Sequence, residues 1–299
     1  GRQGAKGRRK GTGGGKGGGG KGVAGDAGRR EATANEIDEM KGLLTKGLER
    51  GALAVGFGLD YTRGASRKEI VEMFKIASEH KASCHVHLRG KGDKSPNASI
   101  EALQEVIAAA AITNASLHVV HINSTGMKAV PTLLEMISGA RQHGMDVTTE
   151  CYPYSAGMTK IESALFDDGW QDHYGIDYDQ LLWPDTGEFL NAESFEDYRE
   201  KGGWVIAFST PEESVDQAVL SPITMIATDS VIQEGKGHPR TAGSFARSGR
   251  DQYGGVGAPR ADAGGDADAD GVGAAVVGRG AGERGAQADI NRRFHDRAL

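Results

Sequence analysis

The chain has 299 residues, and its formal charge of −6 averages over two ends of unlike composition, so the charge alone points to no partner. Two cysteines, Cys84 and Cys151, exclude a disulfide framework and a Cys-x-x-Cys metal site, which fits a reducing, cytoplasmic setting. No run of about 18 apolar residues is present to span a membrane, and no apolar stretch follows the basic start as a signal peptide requires.

Residues 1–32 are dominated by Gly, Lys and Arg, as in "GTGGGKGGGGKG". Ordering such a segment costs more entropy than its packing returns, so a disordered tail is expected. Basic Gly-rich segments can bind phosphate backbones, but this one lacks the aromatic side chains that stack on bases, and no nucleic-acid partner is expected.

From residue 33 the pattern changes. Thr33 with Glu36 makes a capping-box signature. Ile37, Met40, Leu44 and Leu48 follow at helical spacing, and Gly51 stands where a helix C-terminus accepts positive φ. "ALAVGFGLDY" reads as a strand. In "SRKEIVEMFKIASEH", Ser66 and Glu69 repeat the capping signature, and Ile70, Met73, Phe74 and Ala77 make one apolar face. "KASCHVHL" is the next strand, residues 100–112 a helix, and "ASLHVVHI" a strand again. Residues 127–142 read as a helix with Pro131 near its first turn, where proline is tolerated. "MDVTTECYPY" reads as a strand ending at Pro153, and an irregular insertion occupies about residues 155–203. "GWVIAFS" and "PITMIATDS" are further apolar, strand-like runs. Residues 248–299 are poor in large apolar side chains and are expected to be a second disordered, low-complexity tail.

Strands alternating with helices imply βαβ units and a parallel sheet, hence an α/β fold for residues 33–247. A doubly wound sheet and a (β/α)8 barrel both fit that alternation. The polar residues favour the barrel, because His87, His121, Glu150 and Asp229 all fall at the C-terminal ends of strands, where barrel active sites are built. "VGFGLDY" is a poor match to the glycine-rich phosphate turn of a dinucleotide-binding sheet.

Two histidines on adjacent strand ends suit a metal. Imidazoles bind Zn2+, and a catalytic zinc takes about three protein ligands and keeps a position open for water. His87 and His121 are the candidate ligands. Asp229 is placed to take a proton from metal-activated water as general base. The plainer alternative is that these are hydrogen-bonded core histidines. His85 and His118 fall earlier in their strands and read as core residues or as groups that orient a ligand, as does Glu150. Cys84 and Cys151 read as small buried residues, and Asp60 and Asp93 as loop residues.

Five segments, "GALAVGFGLDY", "HVHLR", "SLHVVHINSTG", "DVTTECYPYSAG" and "MIATDS…GHPRTAGSFAR", resemble the amidohydrolase superfamily, specifically its N-acyl-D-amino-acid deacylase (D-aminoacylase) branch. The resemblance runs from about residue 33 to residue 247. It implies a distorted (β/α)8 TIM-type barrel, a zinc centre and hydrolysis of a C–N amide bond other than a peptide bond. It implies metal ligation by His87 and His121, at the ends of the fifth and sixth strands. Asp229 falls on the catalytic base at the end of the eighth, with Ser230 where the family has Gly. Tyr61, Tyr152, His238 and Arg240 fall on substrate-pocket positions, and a guanidinium such as that of Arg240 pairs bidentately with a substrate carboxylate. The implied partner is a small molecule, an N-acyl amino acid or related amide.

The departures are as informative. The H-x-H metal pair of the family's first strand and its cysteine ligand have no counterpart here, and Asn123 stands where many relatives have lysine. The motifs therefore imply a partial barrel of about strands four to eight. Two alternatives remain open: a cyclic-amide hydrolase of the dihydroorotase or hydantoinase kind, and a catalytically inactive fragment of such an enzyme.

Overall fold

The computed structural model describes residues 26–90 and 96–229, together with the short strands Ile232–Gln233 and Lys236–Gly237. The expected tails at residues 1–32 and 248–299 fall largely or wholly outside the described residues, as do Asp93, His238 and Arg240. Helix α1 (Ala34–Glu49) starts at the capping box read from sequence: the Glu36 amide donates to Thr33 Oγ1 and the Thr33 amide to Glu36 Oε2. It leads into strand β1 (Ala54–Gly58), then α2 (Arg67–Glu79), capped by Ser66, and β2 (Ser83–His87). Next come α3 (Pro96–Thr113), β3 (Leu117–Val119), the single-turn α4 (Ile122–Gly126), α5 (Val130–Gln142) and β4 (Val147–Cys151).

The helix expected over 127–142 is thus shorter than predicted. Met127 has φ 48° and ψ −129°, which breaks the backbone after α4, and α5 begins at Val130 with Pro131 in its first turn. Likewise α3 begins at Pro96, ahead of the predicted residue 100.

Beyond β4 the chain leaves the sheet. Strand β5 (Gly157–Lys160), α6 (Trp170–Tyr174), β6 (Leu181–Trp183), β7 (Glu188–Phe189), α7 (Ala192–Lys201) and β8 (Trp204–Ala207) follow. They build a separate antiparallel sheet of order β5-β8-β6-β7. The apolar run "GWVIAFS" is therefore a strand, as read, but of this second sheet. Helix α8 (Glu212–Val219) and β9 (Thr224–Ile226) return to the first sheet, where β9 pairs parallel with β4; β10 (Ile232–Gln233) and β11 (Lys236–Gly237) form a short antiparallel hairpin.

The main sheet is all parallel, with order β1-β2-β3-β4-β9. Strand order follows chain order, without the reversal that marks a doubly wound sheet. Its helices pack each on the next, α1 on α2, α2 on α3, α3 on α5 and α5 on α8, as a single layer. Between that layer and the sheet lies the larger core, in which Phe74, Val86, Leu103, Leu117, Leu133 and Ile137 are fully or almost fully buried. Burying each such side chain is worth about 1.5–3 kcal/mol. Cys84 and Cys151 are buried in it, and burial pushes the Cys84 thiol up to about 12. Alternation along β2 sends Cys84 and Val86 to the helices and Ser83, His85 and His87 to the opposite face. A second core of Trp170, Leu181, Trp183, Phe195 and Val205 sits within the insertion. Among the described residues no helix is long and apolar enough to cross a membrane.

Candidate active site

The C-terminal ends of the parallel strands converge on four rings. His87 is the last residue of β2, and its Nδ1 lies 3.0 Å from His121 Nε2. The two rings meet edge to face, with centroids 4.5 Å apart. His121 sits two residues past β3 at φ 38°, ψ 56°, the left-handed region, sparsely used by side-chain-bearing residues. That turn swings the imidazole off the sheet and across to His87. On its far side His121 Nδ1 faces the hydroxyls of Ser124 at 3.1 Å and Thr125 at 3.3 Å.

Two tyrosines complete the group. The Tyr61 ring lies 5.1 Å from that of His87, and the Tyr152 ring 6.0 Å from that of His121. The Tyr61 side chain is 38% exposed along its length. Its hydroxyl, however, sits among protein atoms 3.2 Å from Thr159 Oγ1 of the insertion, and the titration follows the hydroxyl. Burial pushes its pKa up to about 12, and the charges of Asp229 and Asp60 add to the rise. Asp229 follows β9 by three residues, is exposed, and has φ 48°. Its carboxylate is close enough to act on Tyr61. Among the described residues no three His, Cys, Asp or Glu side chains gather as a metal-binding group, so Asp229 does not join the two histidines in one.

One layer deeper, His118 and Glu150 form a pair of their own. His118 Nε2 lies 3.1 Å from Glu150 Oε2, and its Nδ1 2.7 Å from Thr148 Oγ1. The His85 ring packs 4.6 Å from that of His118, and the Ser83 hydroxyl lies 3.0 Å from His85 Nε2. Burial alone would raise the Glu150 pKa, but the hydrogen bond with His118 and the positive potential of the surrounding histidines outweigh it and hold the carboxyl below its ordinary range. Burial and the neighbouring His118 depress His85 to about 4. Glu150 thus orients His118, with no hydrogen bond seen to His87 or His121 among the described contacts.

The sequence did not disclose what several residues do in holding this site. Asn123 is completely buried, and its side-chain amide donates to the Tyr152 carbonyl at 2.9 Å and accepts from the Tyr152 N–H at 3.3 Å. Asp60, read as an ordinary loop residue, is 1% exposed; it accepts from the Tyr174 hydroxyl at 3.1 Å and pairs with Arg63 at 3.3 Å. That network ties the turn carrying Tyr61 to α6, more than a hundred residues away in sequence.

Comparison with known proteins follows the same lines. No protein-family model matches the chain. It is 25% identical over 232 residues to the N-acyl-D-glutamate deacylase of Alcaligenes xylosoxydans xylosoxydans, covering 73% of this chain and 46% of that protein. It is 24% identical over 229 residues to the D-aminoacylase of the same organism, with the same coverage. Among solved structures, a D-aminoacylase described as defining a novel subset of amidohydrolases superimposes with TM-score 0.57 at 25% identity, over 73% of this chain and 48% of that one. An N-acyl-D-glutamate deacylase from Bordetella bronchiseptica, solved with zinc and a phosphonate mimic of the tetrahedral intermediate, shares the fold with TM-score 0.60 at 22% identity, over 75% and 50%. The resemblance read from the five sequence segments is therefore to the proteins it named. The chain spans a little under half the length of the curated relatives it matches.

Proposed function

We propose that this chain, similar to D-aminoacylases along 73% of its length, is one wall of a (β/α)8 barrel, about strands four to eight. Its reaction is hydrolysis of the amide bond of an N-acyl-D-amino acid. The unreversed strand order and the single helix layer support the barrel wall. The observation that carries the chemistry is the 3.0 Å approach of His87 to His121 at adjacent strand ends.

Imidazole nitrogens suit zinc, and these two already face one another across the site. A catalytic zinc commonly takes about three protein ligands, so the described residues furnish two of them. His87 and His121 would hold the ion. When bound, a divalent ion supplies an electrophile for the amide carbonyl and lowers the pKa of water to about 7. Asp229 accepts a proton from the attacking water at its carboxylate and returns it to the leaving nitrogen. Tyr61, with its pKa at about 12, remains a neutral phenol at working pH and lines the substrate pocket with Tyr152. Arg240 pairs with the carboxylate of the substrate, and His238, two residues before it in sequence, lines the same pocket.

Asp229→Asn tests this assignment. Hydrolysis of N-acetyl-D-glutamate should fall about 10²–10⁴-fold, with zinc content unchanged; an undiminished rate removes Asp229 as the base. Running the same assay on a hydantoin separates ring opening from deacylation. A second reading, an inactive half barrel, is favoured by the count of two histidine donors among the described residues. Stoichiometric zinc retained through dialysis, together with turnover, rejects it.

A further inference from the structure

Helix α4 is a single turn whose five residues, Ile122 to Gly126, are all buried. Three of them in succession are polar. A hydroxyl or amide buried without a partner costs about 1–3 kcal/mol, so each needs an assignment. Asn123 is taken up by the backbone of Tyr152. Ser124 and Thr125 converge instead on one atom, His121 Nδ1, at 3.1 and 3.3 Å. The turn does not need them for its own closure, because the His121 carbonyl accepts the Ser124 and Thr125 amides at 3.1 and 3.4 Å.

The direction of these contacts follows from counting protons. The Ser124 hydroxyl has one proton, and it also lies 3.1 Å from the His121 carbonyl, which can only accept. Donating there leaves its lone pairs toward the ring, so Nδ1 must supply the proton between them. A neutral imidazole with Nδ1–H has its lone pair on Nε2, and that nitrogen faces His87 Nδ1 at 3.0 Å. Backbone alone does not secure this. The left-handed φ of His121 aims its Cβ, but rotation about Cβ–Cγ is broad and roughly two-fold, and either nitrogen could carry the proton. Thr125 is held from behind, since Ser99 of α3, 2% exposed, donates to its carbonyl at 2.7 Å.

We propose that Ser124 and Thr125 are positioning residues for His121. They accept its Nδ1–H, stop the ring from turning over and present the Nε2 lone pair to the side of His87. Across the His121–His87 contact the shared proton then belongs to His87, so only His87 has to release a proton for an ion to enter between the rings. The proposal deepens the assignment of the two histidines as zinc ligands and rests on it for that consequence. The tautomer itself is measurable without metal, so the two can fail separately.

Two-bond proton–nitrogen correlation spectra, taken at about pH 8 where an ordinary imidazole is neutral, read the tautomer. In the parent, His121 should show a protonated Nδ1 and a bare Nε2. Ser124→Ala with Thr125→Val removes both hydroxyls and should give a mixture of the two tautomers. Thr125→Ser keeps both hydroxyls, trims only a methyl and should keep the parent's spectrum. Zinc affinity, from competition with a chromophoric chelator, should fall about 10–100-fold in the double variant and stay at the parent's value in Thr125→Ser. Far-ultraviolet circular dichroism checks that the fold is kept, and Ser124→Ala alone serves if the double variant does not fold. A proton on Nε2 in the parent overturns the proposal, as does a double variant with the parent's spectrum or with the parent's zinc affinity. A parent that takes up no zinc removes the ligand assignment and leaves the spectra to decide the role of the hydroxyls.

Discussion

Asn123 makes two hydrogen bonds to the backbone of one residue, Tyr152, and only one orientation of its amide satisfies both. Asn123→Leu keeps the volume and leaves a buried N–H and C=O unpaired, which costs about 1–3 kcal/mol for each group. Urea unfolding should show a loss of about 2–6 kcal/mol for the two groups together, and one below about 0.5 kcal/mol would mean that the clamp is dispensable. Nearer the N-terminus, Glu36 is held down to about 2, first by its hydrogen bond to Arg30 and then by the Thr33 cap. A carboxyl with a depressed folded pKa stabilises above its unfolded value, here 4.5, and that contribution is lost as the pH falls toward 2. Arg30→Ala should move the Glu36 carbon-13 titration up toward 4.5, and an unmoved midpoint would show that the Thr33 cap alone sets it. At this scale the sequence exposes groups at strand ends, because position along a strand is a local property. His87 and His121 were legible for that reason. Asn123, Thr159 and Tyr174 were not, since their roles depend on partners 29, 98 and 114 residues distant.

The elements divide in the same way. Both N-caps, Thr33 and Ser66, and the apolar face of α2 stand in the sequence as local signatures and form as read. The break between α4 and α5 was hidden, because nothing in "INSTGMKAV" announces the positive φ of Met127. The run "GWVIAFS" was legible as a strand but not as a member of the antiparallel sheet, since an apolar strand does not encode its partner. Its first residue, Gly203, shows what that sheet demands. It has φ 148°, and a Cβ there would come 2.5 Å from Trp183 Cη2 and 2.9 Å from Cζ2. The indole cannot yield easily, because it stacks on Tyr198 with ring centroids 4.0 Å apart. Gly203→Ala should therefore destabilise the insertion by about 1–3 kcal/mol. The check is the midpoint of the tryptophan fluorescence transition; an unchanged midpoint would mean that the ring moves aside at no cost.

Among the described residues two apolar cores form, one under the parallel sheet and one inside the insertion. What joins them is polar: Arg63 and Asp60 to Tyr174, Tyr61 to Thr159, and Arg29 to Asp167. Polar contacts of this kind transmit less cooperativity than shared apolar burial: the exposed Arg29–Asp167 ion pair is worth about 0–1 kcal/mol, and each hydrogen bond to Tyr174 or Thr159 about 0.5–1.5 kcal/mol net. The three tryptophans of the chain, Trp170 on α6, Trp183 on β6 and Trp204 on β8, all lie in the unit built on the antiparallel sheet, whereas most of the helix lies around the parallel sheet. Fluorescence therefore reports on one core and circular dichroism at 222 nm mainly on the other. Phe195 is 2% exposed and stacks on Trp170 at 5.3 Å. Truncating it to alanine should cost about 3–5 kcal/mol, as for other buried aromatics. In Phe195→Ala the fluorescence transition should move to lower urea while the 222 nm transition stays near that of the parent. If the two curves shift together, the polar bridges couple the cores fully and the molecule unfolds as one unit. If they separate, the rings at the mouth of the sheet keep their scaffold when the insertion melts, while Tyr61 loses its bond to Thr159 and its turn loses the Asp60 and Arg63 ties to Tyr174.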